Sequence, residues 1–239
     1  AVIRRITKIK KVGHTGTLDP LATGVLPVCI GREATKLSQL IMDSDKEYRA
    51  VLKLGVSTTT QDSEGEIISQ REVNVTENMI KTAVESFIGE ISQIPPMYSA
   101  IKIDGKKLYE LARKGIEVER KSRVVTINYI NILNINLEEN EVEMVIGCTK
   151  GTYIRTLCND IGDALGCGGF MKSLIRTKVG RFAIEDSITL EGFEELYNKG
   201  VALLRKECAA SGKNFNAQIV GYNESIQGYF GDKIQLKYI

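Results

Sequence analysis

The sequence predicts an α+β protein with a mixed, mostly antiparallel sheet, flanking helices and a small β-rich tail at its C-terminal end. Some segments repeat apolar residues at the helical period and others alternate them at the strand period of two. These segments follow one another without a regular strand–helix–strand rhythm, which favours an α+β fold over a parallel α/β fold. The length of 239 residues, 43% of them hydrophobic, is enough for a substantial buried core.

The first segment predicts a helix, a loop and a strand. Apolar residues lie at helical spacing over residues 1–11, and Gly13 ends the pattern where a loop rich in Gly and Thr begins. A strand is predicted over Gly24–Ile30. The helix predicted after it has one apolar face, which consists of Ala34, Leu37, Leu40 and Ile41.

The next segment predicts a half-buried strand and two helices. Residues 47–54 alternate apolar and polar side chains, as a strand with one buried face does. Thr76 is predicted to cap a helix that ends at Gly89, and a short helix over Lys106–Lys114 is closed by Gly115. The inner side of the strand is predicted to carry Tyr48, Ala50, Leu52 and Leu54.

A β-hairpin and a further helix complete the main body. Val124–Ile135 and Val142–Cys148 have strand composition and are separated by turn-forming Asn and Glu residues. Thr149–Thr152 precedes a helix with one apolar face. Glycines are predicted to end this helix, at Gly166, Gly168 and Gly169.

The chain is predicted to divide near residue 190. Residues 1–190 form the main domain. Residues 191–239 form a tail, which follows a helix over Leu190–Tyr197 and contains short β-like runs at Ala217–Tyr222 and Lys233–Ile239. We interpret this tail as a small module or the remnant of one.

Composition excludes several protein classes. No segment approaches the roughly 18 consecutive apolar residues of a membrane span, and the N-terminal basic residues alternate with apolar ones, unlike a signal peptide. Five scattered cysteines form neither a disulfide framework nor a paired metal site, which favours a cytoplasmic protein. The single histidine argues against His-rich metal sites. We expect no membrane partner and no metal.

Basic residues are segregated along the chain. The formal charge is +5 over residues 1–36, +4 over 99–124 and +4 over 148–182, although the whole chain is only +2. A positive face on a nearly neutral protein suits a polyanion such as RNA. Ordinary solvated charge is the alternative interpretation.

The most unusual segment is the loop Gly13–Gly24, in which three glycines and a proline surround His14 and Asp19. Loops of this composition let the backbone approach a ligand closely. Taken by itself, the pattern also fits a structural turn in which Asp19 is a turn former and His14 a structural residue.

Five ordered motifs, together covering about residues 1–190, resemble the TruB family of pseudouridine synthases, the bacterial enzymes that modify the T arm of tRNA. The resemblance implies the pseudouridine synthase fold and an isomerase without a cofactor. The matching segments are Gly13–Gly24; Lys46–Ala50; Gln93–Lys102 with Gly105, Tyr109, Ala112, Arg113 and Gly115; Lys150–Leu157; and Leu174–Thr177 with Val179 and Gly180.

The resemblance implies a catalytic role for three residues. Asp19 matches the family's nucleophilic aspartate, and attack at C1′, attack at C6 and a glycal route all remain open. Arg155 matches the arginine that pairs with this aspartate, orienting it and lowering its pKa. Tyr48 matches the tyrosine that stacks on the target base and takes the C5 proton late in the reaction. Without the motifs, Arg155 fits a surface cation and Tyr48 fits a core residue.

The resemblance also implies a substrate pocket. His14 matches a histidine that helps the target nucleotide leave the stacked loop, Tyr153 a tyrosine that contacts the base, and Leu174 an apolar wall. Eight basic residues are pooled as candidate phosphate contacts. They are Lys102, Lys106, Lys107, Arg113, Lys114, Arg176, Lys178 and Arg181.

The match departs from the family pattern at both ends. The opening strand of the family, with its Lys-Pro-x-Gly segment, is not present before Ala1, and the tail after residue 190 is short for a complete PUA-like RNA-binding module. The leading hypothesis is a monomeric tRNA pseudouridine synthase. The alternatives are a guide-RNA-dependent synthase, a non-catalytic tRNA-binding or tRNA-folding protein, and a metalloenzyme using Cys158, Asp160, Asp163 and Cys167.

Overall fold

The computed structural model describes residues 1–103, 105–211, 217–220 and 235–238. It divides the chain into two compact units. The first comprises Ala1–Leu18, Val25–Ser44 and Lys178–Ile239, and the second comprises Asp19–Gly24 and Asp45–Thr177.

The helices are α1 (Val2–Thr7), α2 (Arg32–Lys36), α3 (Ser38–Met42), α4 (Glu77–Glu85), α5 (Leu108–Ala112), α6 (Ile154–Ala164) and α7 (Leu190–Ser211), with a 3-10 turn at Ile184–Asp186. The strands are β1 (Val12–His14), β2 (Thr23–Gly24), β3 (Val28–Ile30), β4 (Lys46–Leu54), β5 (Val56–Thr58), β6 (Ile67–Gln70), β7 (Gly89–Gln93), β8 (Lys102–Ile103), β9 (Lys106–Lys107), β10 (Arg123–Asn136), β11 (Glu141–Cys148), β12 (Gly169–Val179), β13 (Phe182–Ala183), β14 (Ala217–Val220) and β15 (Gln235–Tyr238). None of the helices in the described part of the chain has the length and hydropathy of a membrane-spanning segment.

The second unit is built around a mixed sheet. Its strands lie in the order β12, β4, β11, β10 and β7, and the pairs β4–β11, β11–β10 and β10–β7 are antiparallel. The short strand β2 adds to β12 in parallel. This arrangement confirms the predicted α+β class with a mostly antiparallel sheet.

One face of this sheet is buried by α4 and α6. Alternation along β4 and β11 turns every second side chain toward the helices, and the helical spacing of α6 supplies the facing stripe. Burial of each large aliphatic side chain contributes roughly 1.5–3 kcal/mol. Fully buried members of this core include Leu52, Met144, Ile146, Ile80, Leu157 and Ile161.

In the first unit, α1 contacts α7, and β1 pairs with β3 in a two-stranded antiparallel sheet. The Tyr197 hydroxyl donates to the carbonyl of Thr7 over 3.3 Å. An ion pair joins Arg5 Nη2 to Glu194 Oε2 over 3.8 Å. The paired strands β14 and β15 confirm a β-rich segment in the tail. The remaining residues of the predicted tail runs, 221–222, 233–234 and 239, lie outside the described residues.

Several elements confirm the predictions and others correct them. The strand over 47–54, the hairpin and the helix ended by glycines are confirmed as β4, β10–β11 and α6. The first helix ends at Thr7, because Lys8 is left-handed with a φ of 59°. The strand predicted over Gly24–Ile30 is two short strands that belong to different units.

Two further boundaries differ. Thr76 caps α4 as predicted, since its side chain accepts from the amide of Met79, but the helix ends at Glu85 and Gly89 opens β7. The sequence does not predict the long strand β12. Gly169, its first residue, is predicted to end α6, and Lys172 and Ser173 interrupt its alternation of buried and exposed side chains.

Candidate active site

Asp19 begins a short loop that is fixed to the edge of the sheet by β2. Its carbonyl accepts from the amide of Ala22 over 2.9 Å, which closes a turn. Gly24 pairs with Arg176 in β12, at a φ of +105°, and a Cβ at this position would lie 2.2 Å from the Arg176 carbonyl oxygen. Only glycine allows this close approach, so Gly24 anchors the loop that carries Asp19.

Arg155 contacts Asp19 at two points. It lies in the first turn of α6, and its Nη2 donates to Asp19 Oδ1 over 3.1 Å while its Nε lies 2.9 Å from Oδ2. The Arg155 side chain is 4% exposed and that of Asp19 is 35% exposed. Two contacts to one guanidinium fix the orientation of the carboxylate, and the remaining exposure leaves it open to a ligand.

The rest of the Arg155 guanidinium is held by groups that the sequence did not reveal. Nη2 donates to the carbonyl of Tyr98 over 2.7 Å, and Nη1 donates to the carbonyl of Thr60 over 3.1 Å. Nη1 also lies 3.4 Å from a carboxylate oxygen of Asp62, whose side chain is 5% exposed. A buried cation needs this number of partners, because desolvation of an unpaired charge is costly.

Asp62 was missed because its surroundings look like an ordinary polar turn. It lies between β5 and β6 in a run of polar residues, where its carboxylate also accepts from the Thr60 hydroxyl and from the amide of Glu64. An acidic residue in such a run is usually solvated. Only its burial identifies it, and burial is a property of the fold.

The environment of Asp19 raises the pKa of its carboxyl. Burial is the largest cause, the Arg155 guanidinium opposes it, and the negative charge of Asp62 adds to it. The expected lowering by Arg155 therefore has the right sign but is outweighed by burial. The net direction is a correction to the sequence-based expectation.

Tyr48 lies on β4, opposite Ile146 of β11, and packs at the edge of the core while remaining partly exposed. Burial raises the pKa of its hydroxyl to about 12; Cys148 adds to the shift, and a hydrogen bond with Arg176 opposes it. The phenol is therefore neutral at physiological pH. Arg176 is 2% exposed, so it is an internal partner of Tyr48 and not the surface phosphate contact that was expected.

Tyr153 is held at the N-terminal cap of α6 by Gln93. Its amide donates to Gln93 Oε1 over 3.0 Å, and its carbonyl accepts from Gln93 Nε2 over 3.2 Å. Burial raises the pKa of the Tyr153 hydroxyl, and the charges of Arg155 and Asp19 also act on it. Gln93 is 1% exposed; its two bonds to the backbone of Tyr153 fix the start of the helix that carries Arg155.

The remaining predicted site residues are distributed over both units. Leu174 is 6% exposed on β12 and belongs to the same core as Tyr48. His14 is the exposed last residue of β1, in the first unit. The structure therefore brings together Asp19, Arg155, Tyr48 and Tyr153 within the second unit.

The other pooled cations lie on the surfaces of the two units. Lys107 is half-buried and the rest are exposed. In the second unit, Lys107 and Arg113 both lie over the ring of Tyr109, at 5.3 Å and 5.4 Å from its centroid. The exposed cations are Lys102, Lys106, Arg113 and Lys114 in the second unit and Lys178 and Arg181 in the first.

The residues considered for a metal site are mostly internal. Cys158 and Cys167 are buried thiols, and burial raises the pKa of both. In the part of the chain that the structure describes, no three His, Cys, Asp or Glu side chains form a group that could hold a metal ion.

Two family models match the chain. A model described as TruB family pseudouridylate synthase (N terminal domain) matches residues 4–154. A model described as tRNA pseudouridylate synthase B C-terminal domain matches residues 155–206.

Curated relatives are similar over most of the chain. The tRNA pseudouridine synthase B of Alkaliphilus oremlandii is 57% identical over 83% of this chain and 65% of its own length. That of Clostridium tetani is 55% identical over 81% of this chain and 66% of its own length. The chain thus spans just under two thirds of these relatives.

Solved structures share the fold. A Cbf5-Nop10-Gar1 complex contains a chain that is 35% identical, with a TM-score of 0.62, over 82% of this chain and 48% of the other. An H/ACA RNP bound to a substrate RNA containing 2′-deoxyuridine contains a chain that is 31% identical, with a TM-score of 0.59, over 82% of this chain and 47% of the other.

Proposed function

Because the chain belongs to the TruB family of pseudouridylate synthases, we propose that it is an isomerase that converts a uridine in the T loop of tRNA to pseudouridine. The reaction breaks the bond between N1 and C1′ and joins C1′ to C5 of the same base. C5 loses a proton and N1 gains one, so the reaction is balanced without a cofactor.

The observation that carries this proposal is the two-point contact between Asp19 and Arg155. An ionised carboxylate that is held by a buried guanidinium and remains 35% exposed is an oriented nucleophile open to a ligand. Asp19 is the proposed nucleophile. Arg155 keeps it aimed and stabilises its charged form.

The two tyrosines and Leu174 form the proposed base-binding pocket. Chemistry at C1′ and C5 requires the uridine to leave the stacked loop, and an extruded base is commonly held against aromatic and apolar side chains. Tyr48 stacks on the base, Tyr153 contacts it and Leu174 forms an apolar wall. His14 is proposed to help the nucleotide leave the stack.

Tyr48 is also the proposed acceptor of the C5 proton. Its raised pKa means that the hydroxyl is neutral when the substrate binds. A neutral phenol can take the C5 proton only as it gives up its own O–H proton, which supplies the proton that N1 gains, and only from an intermediate in which the C5 proton is acidic. This places the proton transfer late in the reaction, after the new bond has formed.

Further features of the proposal follow from the family. The exposed cations contact tRNA phosphates, and their contribution is non-specific and salt-dependent. The chain acts as a cytoplasmic monomer on the T arm, without a metal. Residues 1–190 form the catalytic domain, and residues 191–239 form a C-terminal helix with a short β tail.

A guide-RNA-dependent synthase is the second candidate, since one solved structure with this fold, at 31% identity, is an H/ACA RNP bound to a substrate RNA. The curated tRNA enzymes are more similar, at 57% and 55%. An assay on tRNA without a guide RNA separates the two candidates, because turnover under that condition supports the tRNA enzyme.

The experiment is tritium release from tRNA labelled at C5 of uridine, with the product position mapped in the T loop. We compare the chain with Asp19→Asn, which keeps the shape of the side chain and removes the nucleophile. We expect release by the parent chain and none by the variant, while tRNA affinity stays within about twofold. Release by Asp19→Asn at the parent rate overturns the mechanism, and tight binding without release by either protein indicates a non-catalytic tRNA-binding protein.

A further inference from the structure

Gln61 has a left-handed backbone beside the buried guanidinium. Its φ is 61°, and residues other than glycine, asparagine and aspartate adopt this region rarely and at a cost. Gln61 lies between Thr60 and Asp62, the two residues of this turn that contact Arg155. A strained residue at this position is an observation that the proposed mechanism does not use.

The left-handed turn brings two groups onto one nitrogen. The Thr60 carbonyl accepts from Arg155 Nη1 over 3.1 Å, and an Asp62 carboxylate oxygen lies 3.4 Å from the same atom. The chain bends at Gln61, and the groups on either side of the bend both face Nη1. Asp19 contacts the other two nitrogens, Nε and Nη2.

Three hydrogen bonds hold Gln61 in this conformation. Its amide donates to the carbonyl of Thr58 over 3.2 Å, and its carbonyl accepts from the amide of Met171 over 3.0 Å. Its side-chain Oε1 accepts from the hydroxyl of Thr156 over 3.0 Å. Thr156 is 3% exposed and follows Arg155 directly in α6, so this bond ties the turn to the helix that carries Arg155.

We propose that Gln61 is a positioning residue for the reaction: its left-handed backbone and its bond to Thr156 set the rotation of the Arg155 guanidinium and thereby the aim of Asp19. Among the described residues, the hydrogen bonds of Gln61 go to Thr58, Met171 and Thr156 and none goes to Asp19, so the proposed effect on Asp19 acts through Arg155. The effect of Gln61 on Arg155 is argued from geometry. Its consequence for catalysis rests on the proposed function.

The test uses two ways of loosening the turn. Gln61→Val removes the amide and places a β-branched side chain at a left-handed residue. Thr156→Val replaces the hydroxyl with a methyl group at nearly the same shape, and Thr156→Ser keeps the hydroxyl. We expect kcat for tritium release to fall about tenfold in both valine variants with KM for tRNA nearly unchanged, and to stay near the parent value in Thr156→Ser.

A matched control separates strain from position. Asn140 also has a left-handed backbone, with a φ of 53°, in the turn between β10 and β11. Asn140→Val should lower thermal stability as Gln61→Val does and leave kcat unchanged. Equal losses of kcat in the two variants would show that Gln61 contributes stability alone, which overturns the proposal.

A second readout does not depend on turnover. The Arg155 Nε–H signal in a ¹⁵N spectrum, identified by its loss in Arg155→Lys, should shift and exchange faster in Thr156→Val and return in Thr156→Ser. An unchanged signal or an unchanged kcat in both valine variants overturns the proposal while leaving the proposed function intact. If the parent chain itself releases no tritium, the proposed function has failed, and the Arg155 signal alone decides whether Gln61 positions this side chain.

Discussion

Asp19 and Asp62 contact the same guanidinium group at different nitrogens, although only Asp19 is open to solvent. Asp19 lies against Nε and Nη2 of Arg155, and Asp62 lies 3.4 Å from Nη1. The two side chains are 35% and 5% exposed. The exposed carboxylate is thus the one proposed to react, and the buried one holds the cation.

Removing the charge of Asp62 should weaken the hold on Arg155. Asp62→Asn keeps the shape of the side chain, and we expect unfolding to become easier by about 1–3 kcal/mol, because a buried charge loses a partner. We also expect kcat for tritium release to fall about tenfold. Urea denaturation and tritium release measure the two effects, and Glu143→Gln in the partly exposed pair with Arg49 is the control, with a change below about 1 kcal/mol.

The same variant should move the pH dependence of the reaction. In the proposed mechanism Asp19 must be ionised to react, and its pKa is raised by burial, lowered by Arg155 and raised by Asp62. The acid limb of kcat should therefore lie at a higher pH than an ordinary aspartate gives. Asp62→Asn should displace this limb toward lower pH, and a displacement toward higher pH would contradict the assignment of the limb to Asp19.

The stability of the parent relative to Asp19→Asn should fall as pH rises. The folded-state pKa of Asp19 is raised above its ordinary value, chiefly by burial. A group of this kind contributes stability below its unfolded pKa, and that contribution is lost as pH rises through the folded pKa. We expect the Tm of the parent minus the Tm of Asp19→Asn to be smaller at pH 7 than at pH 4. Thermal melts at the two pH values measure this, and a difference that grows toward pH 7 would show that the ion pair with Arg155 outweighs burial.

Gly24→Ala should damage both stability and activity. The added Cβ would lie 2.2 Å from the Arg176 carbonyl oxygen at a φ of +105°, so the loop with Asp19 has to move. We expect a loss of about 2–4 kcal/mol, together with most of the activity. Gly166→Ala is the matched control, because Gly166 has a φ of +76° with open space around it and should show only the conformational cost of about 1 kcal/mol.

Local patterns were sufficient to predict the elements that bury one regular face. Tyr48, Ala50, Leu52 and Leu54 alternate along β4, and the apolar stripe of α6 is complete within its own residues. The resemblance in the motifs placed Asp19 and Arg155 together although they are far apart in sequence. These predictions use only the residues of each element or motif and need no knowledge of which distant segments pack against them.

The parts that were not predicted depend on burial by distant segments. Arg176 looks like a surface cation in sequence and is internal because β12 lies in the sheet beside β4 and β2. Gln93 and Asp62 are polar residues whose partners lie at the N-terminal cap and in the first turn of α6. No local pattern distinguishes a buried polar residue with a partner from an exposed one, so these positions emerge only from the fold.

The contact between Asp19 and Arg155 joins residues that are 136 positions apart in the chain. Closing so long a loop costs conformational entropy before the contact can form, and contacts of this kind belong to the slow part of folding. The carboxylate and the guanidinium meet only when the loop with Asp19 and α6 are both in place against the sheet. We expect recovery of catalysis during refolding to report on the completion of this assembly.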